Sequence, residues 1–435
     1  MSQLPPDHQS QRKQERAQQK SHQQGQQMLP LQWYRRRTLK AKVGLWSALA
    51  LILLLLFSLG VFVFIPRSVP FRNAGVHISA TPVYYVSTSG NDANDGSIAH
   101  PFASIQKAAN VAKAGATIHV LPGTYTKPVN NTAVGTAQAR ITFISDVKWG
   151  AKIITSGIRT SWTNWGSFVD IQGFDITGDG DIGINDYGSY VRIIGNHVHN
   201  YAIASCGSNG AAGIDDSVNN GNHDNQVIGN VVDHIGPPLT TYCNVDQGIY
   251  HSTPGGYIAN NIVYNVSAYG IQTWHSASSD TIANNLVFNC GQGGILIAAN
   301  QVIADNFLVV NNIAIHNLHL GIYEYGQTGL HNRFLNNLVY GNPINLLLQH
   351  GNKGQGTLMV DPRLVNYRAD GSGDYHLSAG SPAIGAGTSI GAPAIDMNGL
   401  SRTIGRAVDI GPYAYTSIGS TSGSKGKKNI VKKLH

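Results

Sequence analysis

Between residues 255 and 345 the alternation of apolar and polar positions is written four times: YIANNIVYN at 257–265, TIANNLVFN at 281–289, VVNNIAIHN at 309–317 and FLNNLVYGN at 334–342. Aligned on the second Asn of each pair, the register runs upstream through VRIIGNHVHN and QVIGNVVDH. Asn196, Asn230, Asn261, Asn285, Asn312 and Asn337 then occupy equivalent places. Three residues before that Asn the chain is always apolar (Ile193, Val227, Ile258, Ile282, Val309, Phe334), and two residues after it is apolar again (Val198, Val232, Val263, Val287, Ala314, Val339). Period-2 alternation rich in β-branched residues predicts short strands rather than helices. A unit recurring every 22 to 35 residues cannot bury its own apolar face and must stack on copies of itself, so the chain is read as a solenoid. Asn tolerates left-handed backbone, and its amide can bond the amide one coil away. The recurrent Asn is therefore a corner and a ladder, not chemistry.

A second beat follows each corner: Gly-Ile at 183–184, 213–214, 248–249, 270–271, 294–295 and 321–322, with Pro343-Ile344 closing the series. With this Gly-Ile and NN-x-I/V-x-N cadence, the chain resembles the right-handed parallel β-helix proteins of the pectate-lyase-like superfamily over roughly residues 83–415. The resemblance implies an all-β, single-stranded right-handed parallel β-helix. It does not choose a chemistry, because that superfamily holds lyases, hydrolases, epimerases and non-catalytic surface proteins.

The flanks are of another kind. Residues 1–42 are rich in Gln and basic side chains and have too few apolar ones to form a core, so they are expected to be a disordered tail. Residues 43–65 carry no charge, enough to cross a hydrocarbon core of about 30 Å as one transmembrane helix. VFVFIPRSVP follows instead of a small-residue cleavage site, which favours an uncleaved signal anchor. Nine Lys/Arg precede the span, and only Arg67 and Arg72 follow closely, so the positive-inside rule places the N-terminus in the cytoplasm and the β-helix outside the cell membrane. Residues 66–82, with three prolines, read as a stalk. In 84–125 Ser104 can cap a short helix ending before Gly115, a polar cap over the open end of the helix that occupies 83–350. Asp92 to Asp95 misses the EF-hand calcium spacing and is read as turn chemistry. After residue 350 the period is lost. Residues 351–415 resemble the segment that closes many such helices, and 416–435 form a flexible basic tail.

Net charge changes the picture only after division. The formal +7 sits at the ends: residues 1–72 hold 11 Lys/Arg against 2 acids and the tail from 421 holds 5 against none, whereas 73–420 has 14 against 21. The folded part is thus acidic, which excludes a nucleic-acid partner; a monomer facing polysaccharide is expected. Of the three cysteines, Cys206 and Cys243 lie in long excursions of successive coils and can meet.

If the Ile of each Gly-Ile points inward, the residues one and three after it, and the residue two before the Gly, share an outward face. That places Asp181, Asn185 and Tyr187; Asp215 and Ser217; Asp246, Tyr250 and Ser252; Gln272 and Trp274; and His319, Tyr323 and Tyr325 in rows. Aromatic faces stack on sugar C–H surfaces while amides and carboxylates bind hydroxyls or calcium, so Asn185, Tyr187, Gln272, Trp274, His319, Tyr323 and Tyr325 are the expected substrate contacts. The candidate catalytic residues are Asp215, Asp246, Tyr250, His251, His275 and Glu324. Asp215, Asp216 and Asp246 are the candidate Ca2+ ligands, and strict alternation would turn His251 and Glu324 inward. β-Elimination needs a uronate neutraliser and a base; a lysine base is disfavoured, since no Lys lies between Lys152 and Lys353. Hydrolysis needs two carboxylates a few ångströms apart, which the Asp residues can supply. The paired Asp is similar to the polygalacturonase branch, but the Gly-His-Gly and Arg-x-Lys elements that branch implies are missing. A polysaccharide lyase or glycoside hydrolase and a non-catalytic carbohydrate-binding or adhesin-like protein both stay open.

Overall fold

The computed structural model describes residues 81–206, 210–402 and 408–416. The expected membrane span at 43–65 and both basic tails beyond residue 416 and before residue 43 lie outside them. Among the described residues no helix is long and apolar enough to cross a membrane. These residues form a right-handed parallel β-helix of three sheets with eleven, nine and nine strands. Each coil gives one strand to each sheet. One coil runs Arg192–Ile194 in the first sheet, His197–Tyr201 in the second and Ala211–Asp216 in the third, and the next coil pairs with it in parallel register.

The interior is filled row by row. Ile171, Ile193, Val227, Ile258, Ile282, Val309 and Phe334 stack from the first sheet, and the Val198 to Val339 row from the second. Trp162 and the Gly-Ile isoleucines stack from the third. All are essentially inaccessible, and each such side chain contributes roughly 1.5–3 kcal/mol through burial. A solenoid gains this only between neighbours, which is why short strands of two to six residues suffice.

The NN pair divides its labour. The first Asn of each pair (Asn260, Asn284, Asn311, Asn336) takes positive φ of 56°, 55°, 55° and 49°, and Gly195 and Gly229 fill the same place upstream. The second Asn is buried and builds the ladder. Asn285 Oδ1 accepts from the Asn261 backbone and side-chain amides at 2.9 and 3.0 Å, and its own Nδ2 donates to Ile258 O and Asn312 Oδ1.

The short helix Ile105–Val111 (α1) starts where Ser104 Oγ accepts from Lys107 N. Asp92 accepts from Ser104 N, Ser104 Oγ and Ala103 N, so the acidic run is turn and cap chemistry. The C-terminal segment begins on the last coil, where Gly354 and Gln355 pair with Phe334 and Leu335 and Leu358 bridges Leu338. Farther on, Tyr375, Leu377, Ala383 and Ile410 cover Ile262, Tyr264, Leu286, Phe288, Ile313 and Ile315 along the second sheet. The first-Asn row fastens it: Asn260, Asn284, Asn311 and Asn336 donate to the carbonyls of Ile395, Gly411, Thr388 and Ala386.

Candidate active-site cleft

Gly-Ile sets which side chains reach the outside of the third sheet. A Cβ on Gly183, Gly213, Gly248 or Gly270 would lie 2.2–2.4 Å from the Val of the second sheet's inner row. Gly and Ile both face the interior, the alternation slips by one, and the outward position upstream is the residue just before the Gly. Gln247 and Tyr269 therefore line the outside. Asp246, expected there from strict alternation, is instead buried. It lies beside the disulfide that joins Cys206 and Cys243 across the two excursions.

Downstream of Ile the expected alternation holds. Asn185, Asp215, Tyr250, Gln272, Leu296 and Tyr323 form one outward row by register. With the excursion residues Tyr242, Asn244 and Val245 as a wall, Gln247, Tyr250, Tyr269, Gln272, Trp274 and Tyr325 enclose a cleft of about 540 Å³. Trp274 and Tyr325 are nearly parallel with ring centroids 6.5 Å apart, and Tyr325 is 59% exposed. Gln247 Nε2 donates to Gln272 Oε1 at 3.0 Å. Tyr323 is buried against Tyr269. Farther upstream, Tyr187 stacks on Trp165 at 4.2 Å and receives a hydrogen bond from Asn185. His319 lies outside the row, its Nδ1 donating to Gly291 O at 2.6 Å.

Asp215 borders the upstream end of the cleft, with Tyr250 as its register partner. Burial and then the neighbouring Asp216 push its carboxyl up to about 7 against the Ser217 hydrogen bond and the Arg159 charge. Ser217 Oγ donates to Asp215 Oδ1 at 2.8 Å. Burial and the Asp215 charge also raise the Tyr250 hydroxyl, and the Tyr250 ring meets His275 edge to face at 6.0 Å. His275 Nδ1 lies 3.1 Å from Asn300 Oδ1. Arg159 was passed over in the sequence argument. It pairs with Asp181 at 3.1 Å and brings an exposed cation near Asp215; its only sequence signal is its position just before a strand of the third sheet.

The other proposed acids face elsewhere. Asp246 stands four residues along the strand from Tyr250, about 13 Å at strand rise, so it does not converge with Asp215. Asp216 points inward and accepts from Asn225 and Thr253 at 2.8 and 2.7 Å. It also pairs with His251 Nδ1 at 2.7 Å, while His251 Nε2 faces Asp280 at 3.6 Å. Burial lowers the His251 pKa, but Asp216 and Asp280 outweigh it and raise it to about 10. Burial and then Asp216 push Asp186 well above the carboxylate range. Glu324 is also inward and buried, held by Asn332, Asn352 and the Gln349 amide. Its strand does not bulge, because these donors satisfy the carboxylate. Asp215 beside the cleft, Asp216 in the interior and Asp246 buried by the disulfide thus do not converge on one calcium site. In the interior polar row Asn131, Asn164, Asp186, Asp216 and His251, the inward place of His251 follows the expected alternation, whereas the row itself was missed, although each member lies two residues after an inward apolar position.

Residues 88–133 match a family model described as a protein of unknown function (DUF1565). No curated protein sequence matches the chain. Among solved structures, pectate lyase Pel9A superimposes with a TM-score of 0.57 at 18% identity, covering 78% of this chain and 98% of its own. A rhamnogalacturonan lyase superimposes with a TM-score of 0.45 at 15% identity, covering 64% and 85%. The pectate lyase shares the fold.

Proposed function

We propose that this chain, a right-handed parallel β-helix of the pectate-lyase-like kind, binds an acidic polysaccharide in the cleft beside Asp215 and cleaves it by β-elimination. The observation that carries the reading is the placement of the Asp215 carboxyl, register partner of the cleft residue Tyr250, at the upstream end of an aromatic cleft. Trp274, Tyr325 and Tyr242 offer stacking faces; Gln247 and Gln272 offer hydroxyl partners; Arg159 offers the charge that offsets a uronate. In the step proposed, His275 removes the proton beside the uronate carboxylate, the bond from the adjacent carbon to the glycosidic oxygen breaks, and that oxygen takes the Asp215 proton. The products are an unsaturated end and a new hydroxyl end. Elimination is favoured over hydrolysis because Asp216, Asp246 and Glu324 are buried and Asp181 is paired with Arg159, which leaves Asp215 without a free second carboxylate of the kind hydrolysis needs. Non-catalytic carbohydrate binding is the second reading, favoured by the raised Tyr250 hydroxyl, which stays protonated at neutral pH and so does not serve as a base. The uncharged stretch 43–65 would hold the protein on the outer side of a membrane. The test is the full-length protein on a polysaccharide panel, with unsaturated ends read by absorbance and reducing ends read separately. Binding without either product would select the second reading.

A further inference from the structure

We propose that Asp175, His197 and His199 form a binding site for one divalent transition-metal ion of the zinc class, on a face of the molecule separate from the cleft. His197 and His199 are two apart on one strand of the second sheet and so share its outer side, and Asp175 is the register partner of His197 on the preceding coil. One ligand atom from each lies within 4.8 Å of the other two. His199 Nε2 is 2.8 Å and His197 Nδ1 3.6 Å from Asp175 Oδ1. Ligands about 2.0–2.1 Å from a tetrahedral zinc stand about 3.3 Å apart, so both separations need shift by only about half an ångström.

Of the remaining ring nitrogens, His197 Nε2 is held by Asp233 Oδ2 at 2.8 Å. His199 Nδ1 lies 2.9 Å from Asn200 Nδ2, and the Asn200 amide turns its oxygen to that nitrogen when His199 Nε2 gives up its proton to ligate. A carboxylate on the far nitrogen of a metal-binding His fixes its tautomer and orientation, which is the outer support such sites use. Asp233 is itself shared with His234 at 2.5 Å. The side chains at the centre are 16–25% exposed, leaving access from solvent. Lys152 Nζ lies 3.9 Å from Asp175 and is 54% exposed, so it can swing away as the ion enters. Along these rows the later coils carry Ile262, Tyr264, Leu286 and Phe288 beneath the C-terminal segment. The residue type changes to His and Asp where that cover ends. Two imidazoles and one carboxylate suit zinc, nickel or copper rather than calcium, which takes oxygen ligands.

Calorimetric titration of the full-length protein with ZnCl2, and separately with CaCl2, in a non-chelating buffer tests this. The expected result is one equivalent of Zn2+, affinity lowered at least tenfold in His199→Gln and roughly ten- to a hundredfold in Asp233→Asn, and no change in His331→Gln, whose ring pairs with Asp305 elsewhere. Thermal unfolding without metal checks that each variant is folded. Absence of stoichiometric Zn2+ binding, equal binding in His199→Gln, or binding of Ca2+ in preference would overturn the site and leave a hydrogen-bonded His–Asp cluster.

Discussion

At the scale of single residues, the most consequential fact is that adjacent acids have opposite surroundings. Asp215 lies on the outward row beside the cleft and Asp216 in the interior, so the proposed chemistry falls to one and the fold to the other. Asp216→Ala would strip the buried His251 of its nearest partner. Removing one member of a buried pair costs about 3–5 kcal/mol, and chemical denaturation of the variant should show a loss of that size. The raised His251 pKa has a defined sign: its stabilising contribution is complete below the ordinary value near 6.5 and is lost as pH rises toward about 10. The wild-type melting temperature should therefore fall between pH 7 and 10, with a shallower fall in His251→Gln. A slope indifferent to that substitution would remove the buried pair from the account.

At the scale of elements, the Asn ladder and the Gly-Ile beat explain what was legible and what was not. Periodicity alone located the corners, the inward rows and the Cys206–Cys243 juxtaposition, because stacking repeats the same environment at each register position. It missed the one-residue slip at each Gly, which arises from close approach to the Val row and cannot be seen in an alternating pattern. Asp246 was consequently placed on the wrong face. Convergence of the third sheet with the excursions, which makes the cleft, leaves no periodic trace either, and neither does Arg159. Asn285→Leu removes four hydrogen bonds in which Asn285 takes part and leaves partners in adjacent coils unsatisfied. Loss of about 2–5 kcal/mol is expected, read as a lowered denaturation midpoint with the cleft chemistry of the surviving folded fraction unchanged. Unchanged stability with lost turnover would contradict the ladder's structural role.

At the scale of the whole molecule, the stack carries two separated faces. The third sheet and its excursions make the cleft, and the second sheet is apolar where the C-terminal segment covers it and rich in His and Asp where it does not. The charge division of the chain, acidic between 73 and 420 and basic beyond it, underlies the proposal that residues 43–65 anchor the protein with the β-helix outside the cell. Protease added to intact cells should remove the β-helix while a tag before residue 43 stays protected; the reverse pattern would place the β-helix inside.

The central claim is that Asp215 donates a proton in the cleft, and one comparison tests it most directly: the pH–rate profile of wild type and Asp215→Asn on the polysaccharide that the panel identifies. Because burial holds Asp215 protonated up to about 7, wild-type formation of unsaturated ends should fall as pH rises through that value. Asp215→Asn should lose at least a hundredfold in turnover, as removal of a general acid typically does, with no loss of thermal stability, since the burial penalty on the charged form disappears. Wild-type turnover in Asp215→Asn, or a wild-type profile that does not change across neutral pH, would contradict the account.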